Sequence, residues 1–161
     1  MAHDLARALQ QVIDREAPQL QAITDEEAAK PVREGVWSRK EELGHLIDSA
    51  TNNRVRFVRG ALEPELRGPG YDQEGWVRLH AYNHLPWATL VDFWRRYNLL
   101  LAHLVAQIPE ERLGTPCVIG SSAPVTLRFL IEDYTLHMQH HLDHILGRAQ
   151  VTAYPGAALG V

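Results

Sequence analysis

The stretch Asp133-Tyr134-Thr135-Leu136-His137-Met138-Gln139-His140-His141-Leu142-Asp143-His144-Ile145 puts four histidines into eight residues. Leu127, Leu130, Ile131, Tyr134, Met138 and Ile145 recur around them at three- and four-residue steps. That is the period of an amphipathic helix, and Thr126 is a good N-cap for it. The helix is expected to run on to Gly147 or Arg148. His137 and His141 are i and i+4, as are His140 and His144, so each pair projects from one face. At roughly 100° per residue, with His137 at 0°, the apolar residues centre near about +80°. His141 then lies at about +40°, His144 at about −20° and His140 at about −60°. His137 and His141 lean toward a core, His140 leans toward solvent, and His144 lies between.

Such a helix needs partners, and three further segments supply them. From Asp4 to Thr24, Leu5, Leu9, Val12, Ile13, Leu20 and Ile23 share a face. Pro18 inside that segment is expected to bend it. Ser38, three residues before Glu41, forms a capping box. It starts a second helix striped by Leu43, Leu46, Ile47, Ala50, Phe57 and Val58, ending between Gly60 and Pro64. Pro86 opens a third, carrying Leu90, Val91, Phe93, Trp94, Tyr97, Leu100, Leu101, Leu104 and Ile108 and stopping at Pro109. Two long connections, 61–75 and 109–125, separate these helices, with a short helical piece near Trp76 to Tyr82. Strand patterning is almost absent. The expectation is an all-α fold: a four-helix bundle with long crossover connections. It is one domain over 1–148, followed by an apolar, unpatterned tail at 149–161.

Composition narrows the class. The chain has 161 residues, 16 Lys and Arg against 20 Asp and Glu, nine His and one Cys. One domain fits that length. The formal charge of −4 argues against nucleic acid as a partner, since such a binder carries a basic stripe. A lone Cys117 excludes an internal disulfide framework and a four-Cys zinc site. The first residues do not read as a secretory signal, and no apolar run is long enough to span a bilayer. The expectation is a cytoplasmic protein with no membrane partner.

Two imidazoles rarely hold a functional metal alone. A third ligand from another helix could be His45, His80, His84 or His103. Periodicity places His45 away from its helix's apolar stripe, on a side shared with Asp48, Ser49, Asn52 and Arg56. Met138 occupies the position where an HExxH zinc protease carries its general base, which argues against that class. Cys117 has no assigned His partner and reads as an incidental thiol.

Trp37-Ser38-Arg39-Lys40-Glu41-Glu42-Leu43-Gly44-His45-Leu46-Ile47-Asp48-Ser49, followed downstream by His137-Met138-Gln139-His140-His141-Leu142-Asp143-His144-Ile145, resembles the DinB/YfiT-like superfamily. Asn52-Asn53-Arg54, Arg56-Phe57, Trp94, Tyr97-Asn98, Thr126-Leu127 and Leu130-Ile131-Glu132-Asp133-Tyr134 fit the same pattern across nearly the whole chain. The resemblance implies a four-helix bundle with a divalent metal on His45, His137 and His141. It also implies a possible activity, because some members are thiol-dependent transferases using bacillithiol, mycothiol or glutathione.

Three neutral imidazoles leave a cation's charge uncompensated and positions open, the layout of a catalytic site. Such a site activates a water or a thiol. Imidazole suits zinc, nickel, iron or copper, with zinc or nickel expected here. Asp48 and Asp133 are candidates to accept the rings' other N–H groups, with His140 and His144 as further neighbours of the site. Asn52, Arg56 and Tyr71 are candidate pocket residues. The functional expectation is a metal-dependent enzyme acting on a small electrophilic molecule by thiol transfer or hydrolysis. The alternative is a non-catalytic bundle that binds metal or a small ligand. A homodimer is expected for a small bundle of this family.

Overall fold

The computed structural model describes residues 1–31, 33–148, 152 and 154. Six helices and three short strands follow the chain as α1 (Ala2–Gln21), α2 (Asp25–Ala29), α3 (Arg39–Leu62), β1 (Leu66–Gly68), α4 (Gln73–His80), α5 (Trp87–Ala106), β2 (Pro116–Ile119), β3 (Val125–Thr126) and α6 (Leu127–Ile145). The four long helices, α1, α3, α5 and α6, form the bundle. α1 packs chiefly on α5, and α3 lies against both α5 and α6. The core between them holds Trp94, Tyr134, Phe57 and a set of fully buried leucines.

Local chemistry sets the helix ends. Ser38 Oγ accepts from the Glu41 amide at 3.2 Å, and the Glu41 carboxylate accepts from the Ser38 amide at 2.8 Å. This reciprocal cap fixes the start of α3, as the S-x-x-E spacing predicts. Thr126 Oγ1 accepts from the Phe129 amide and starts α6. At the other end of α3, the Arg112 guanidinium donates to the carbonyls of Gly60, Ala61 and Glu63. Those carbonyls have few partners within the helix, and the cation also suits the negative end of its dipole.

Two features depart from the sequence expectation, and Pro18 falls inside the first helix as expected. The segment after α1 contains a separate five-residue helix, α2, capped by a Thr24–Glu27 box. The two crossover connections are not plain loops. β1 runs parallel to β2, with Leu66 opposite Cys117, and β2 pairs antiparallel with β3. Strands of two to four residues are too short to show a two-residue alternation. The partners in β1 and β2 lie about fifty residues apart, so no local pattern announces that pairing. Leu66, Cys117 and Ile119 are buried beneath the bundle's end, and the sheet fastens one crossover to the other.

Among the described residues, no helix is long and apolar enough to cross a membrane. The tail lies outside the described residues apart from Thr152 and Tyr154.

Candidate metal centre

α3 and α6 each bring histidine to their shared interface. His45 Nε2 lies 3.2 Å from His137 Nε2. The ring centroids of His45, His137 and His141 are 4.5 to 5.1 Å apart. One nitrogen from each ring falls within 4.8 Å of the other two. Bonds of about 2.0–2.1 Å around a tetrahedral zinc would set its nitrogens roughly 3.3 Å apart. The cluster therefore fits a cation after small side-chain adjustments.

Burial keeps these rings in the ligand form. His45 is 1% exposed and His137 4% exposed. Burial, reinforced by the charge a neighbouring His141 would carry, brings the His45 pKa down to about 3. His137 is held well below the usual histidine range by burial first, and then by His141, His45 and His140. Neutral imidazoles leave a nitrogen lone pair free to coordinate.

The burial of His45 corrects the helical-wheel placement of that residue at a polar side. The wheel assumes one apolar stripe per helix. α3 is instead the central helix of the bundle, touching α5, α6, α4 and the short turn at Tyr82–His84. All eight residues from Leu43 to Ala50 are buried. A helix packed on several sides has no single hydrophobic direction from which to measure.

Glu42, in the first turn of α3, was not among the residues singled out by sequence. Its Oε1 lies 2.9 Å from Nδ1 of His141 and 2.9 Å from Nδ1 of His144. With Glu42 ionised, Nδ1 of His141 donates to it and Nε2 presents its lone pair. Glu42 sits three residues before His45, on neighbouring helical positions, and that spacing was the available signal.

The two aspartates have other partners. Asp48 Oδ1 accepts from the Tyr82 hydroxyl at 2.6 Å and lies 3.6 Å from His80 Nδ1. Asp133 Oδ2 accepts from the Tyr154 hydroxyl at 3.4 Å. Neither hydrogen-bonds a cluster histidine, and Nδ1 of His45 and of His137 has no hydrogen-bond partner among the described residues. Burial pushes both aspartic acids above their usual pKa. The helical bond geometry explains the miss: residues three or four apart are neighbours, but each carboxylate turns toward a nearer hydroxyl.

His140 and His144 exchange the exposures the wheel assigned them. His144 is exposed, whereas His140 is half-buried against Tyr154, with ring centroids 5.6 Å apart. Tyr154 also lies 5.6 Å from the His137 ring. Asn52 and Arg56 line a cavity of about 230 Å³ with Trp76, farther along α3. Tyr71 packs against Trp76 at 5.2 Å. A larger cavity of about 930 Å³ opens beside the cluster, lined by Trp37, Glu41, Glu42, Glu74, His141 and His144 among others. Cys117 is buried in β2, and burial pushes its thiol up to about 11, which suits neither nucleophile nor ligand.

The chain is thus a helical bundle with a convergent three-histidine cluster, two of its rings buried, between α3 and α6. The family model for the DinB superfamily matches residues 8–145, and the chain belongs to that superfamily. The curated relatives it resembles include the "Putative metal-dependent hydrolase OB0413" of Oceanobacillus iheyensis. Identity there is 24% over 143 residues, covering 89% of this chain and 82% of the relative. The "Putative metal-dependent hydrolase YfiT" of Bacillus subtilis is 27% identical over 130 residues, covering 78% and 71%. The solved structure of Bacillus subtilis YfiT, described as an unusual four-helix bundle topology, superposes with a TM-score of 0.77 at 19% identity. That match covers 92% of this chain and 89% of that one, and establishes the fold.

Proposed function

We propose that this chain is a metal-dependent enzyme that uses His45, His137 and His141 to hold a divalent cation, zinc or nickel, and acts on a small electrophilic molecule. The observation that carries this is the convergence of three imidazole nitrogens from two helices, two of them on buried rings. Bound there, the cation would supply a Lewis acid able to make a water or a low-molecular-weight thiol nucleophilic near neutral pH. The chain's own residues prepare the site. Burial keeps His45 and His137 unprotonated. Glu42 holds the proton at Nδ1 of His141 and orients that ring. The cavity beside His141 gives a small molecule a way in.

The relatives' names support hydrolysis, with water as the nucleophile. Thiol transfer would need an external thiol, because Cys117 is buried and its pKa is raised. A second reading is a metal-binding bundle without turnover. It is supported by the lack of an evident general base: Asp48 and Asp133 accept hydrogen bonds from tyrosine hydroxyls and hydrogen-bond none of the three histidines.

The test is metal content followed by turnover. Purified protein should carry about one equivalent of zinc or nickel by elemental analysis, and the His45→Ala/His137→Ala/His141→Ala variant should carry none. Equal, negligible metal in both proteins after incubation with either ion would overturn the proposal. Metal-dependent hydrolysis of activated esters or amides, or conjugation of thiols to electrophiles, would reject the binding-only reading.

A further inference from the structure

Among the described residues, the buried Glu16, Lys40 and Asp143 each meet an opposite charge, and Arg56 does not. Glu16, 1% exposed, pairs with Arg15 and Arg148. Lys40, the other buried cation, meets Asp25 at 2.9 Å. Asp143 pairs with Arg148 at 3.0 Å. Arg56 is 4% exposed and makes no ion pair. Its Nη2 donates to the Pro69 carbonyl at 3.3 Å, while Nη1 has no hydrogen-bond partner among the described residues. A buried guanidinium with no counter-charge is among the more costly arrangements a fold can hold.

The surroundings indicate what would answer it. Arg56 lines the 230 Å³ cavity with the apolar Val55, Leu66, Pro69 and Trp76 and with a second arginine, Arg59, which is paired with Glu63. Tyr71, two residues beyond Pro69, packs on the Trp76 ring, and its hydroxyl is buried with no hydrogen-bond partner among the described residues. Tyr71 is also close enough to Arg56 for each to perturb the other's charge state. The cavity thus has one unpaired arginine and an apolar wall, and Tyr71, with its unpartnered hydroxyl, lies near that arginine. The one unanswered positive charge matches the single negative charge of a carboxylate, whereas a phosphate brings more negative charge than the site answers.

We propose that Arg56, with the Tyr71 hydroxyl, forms a carboxylate-binding site for a small molecule whose apolar body rests against Val55, Leu66 and Trp76. The site is built on α3, eleven residues beyond His45. It does not depend on a metal at the histidines, so it is tested on metal-free protein.

The experiment is calorimetric titration of the chelator-treated full chain with butyrate, with butyramide as the uncharged control and inorganic phosphate as the competing oxyanion. Butyrate should bind saturably, more tightly than phosphate, and butyramide should not bind. Arg56→Met should weaken butyrate by about ten- to hundredfold, the range for a hydrogen bond to a charged group, and Arg56→Lys should weaken it less. Urea unfolding separates this from a structural role. Without ligand, Arg56→Met should unfold at the same or a higher urea concentration than the wild type, because it removes an uncompensated buried charge. Absence of saturable butyrate binding, equal binding by Arg56→Met, tighter phosphate binding, or a marked loss of stability in Arg56→Met would each overturn the proposal.

Discussion

Gly44, immediately before His45, sets a hard limit on substitution. A Cβ there would lie 2.1 Å from Cδ2 of Tyr82 and 2.4 Å from both Cε2 and Cγ. Carbon atoms in contact sit about 3.5–4.0 Å apart, so the ring would have to withdraw by roughly 1.4 Å. It has little room. Tyr82 is 4% exposed, stacks on His80 at 4.9 Å and holds Asp48 through a 2.6 Å hydrogen bond. Overpacking of this kind costs about 1–3 kcal/mol, and leaving a buried carboxyl without its donor adds about 1–3 kcal/mol. Against this, Gly→Ala inside a helix gains about 1 kcal/mol. Gly44→Ala should therefore lose about 1–5 kcal/mol, lowering Tm by about 2 °C or more for a chain of this size. Gly60, in the same helix, is the internal comparison. Its Cβ would meet Leu127 Cδ1 at 2.9 Å, the movable end of a flexible side chain. Gly60→Ala should stay within about 1 kcal/mol of wild type, because helix propensity offsets a contact that can relax. Both are measured by urea and thermal unfolding followed by circular dichroism. A Gly44→Ala protein as stable as wild type, or a Gly60→Ala protein equally damaged, would refute the reasoning.

Glu42→Gln should preserve the fold but weaken metal affinity by about ten- to hundredfold, since it removes the anion that holds the His141 proton; competition against a chelating dye measures it. In metal-free protein, stability should fall as pH drops from 7 toward 5. The unfolded His45 ring binds a proton near pH 6.5, whereas the folded ring resists until about 3, so acid favours the unfolded chain across that window. His137 acts in the same direction. Each such group contributes at most about 1.4 kcal/mol per pH unit. Asp48 and Asp133 act oppositely: their raised folded pKa values favour the folded chain at low pH, an advantage lost as pH rises from 3.8 through those values. Urea midpoints measured across pH should show a slope that His45→Gln flattens, and a flat wild-type profile between pH 7 and 5 would contradict the burial of these rings.

The sequence by itself determined what depends on near neighbours. Helical periodicity located the four long helices. Ser38 with Glu41, and Thr126, marked where two of them start, because a cap is a contact between residues three apart. The i, i+4 spacing of His137 and His141 put two imidazoles on one face, because helix geometry alone dictates it. Tertiary structure decided the rest. His45 and His137 are 92 positions apart, and only the packing of α3 on α6 brings their nitrogens to 3.2 Å. From residues alone, His45 looked like a polar-side histidine; its inclusion rested on family resemblance. Glu42 reaches His141 and His144 across that same interface, about a hundred residues away. The sheet joins the two crossovers through pairs about fifty residues apart. A central helix buries more than one face, so its own pattern cannot say which side meets which partner. Periodicity records that a face is buried, and the site depends on which helix buries it.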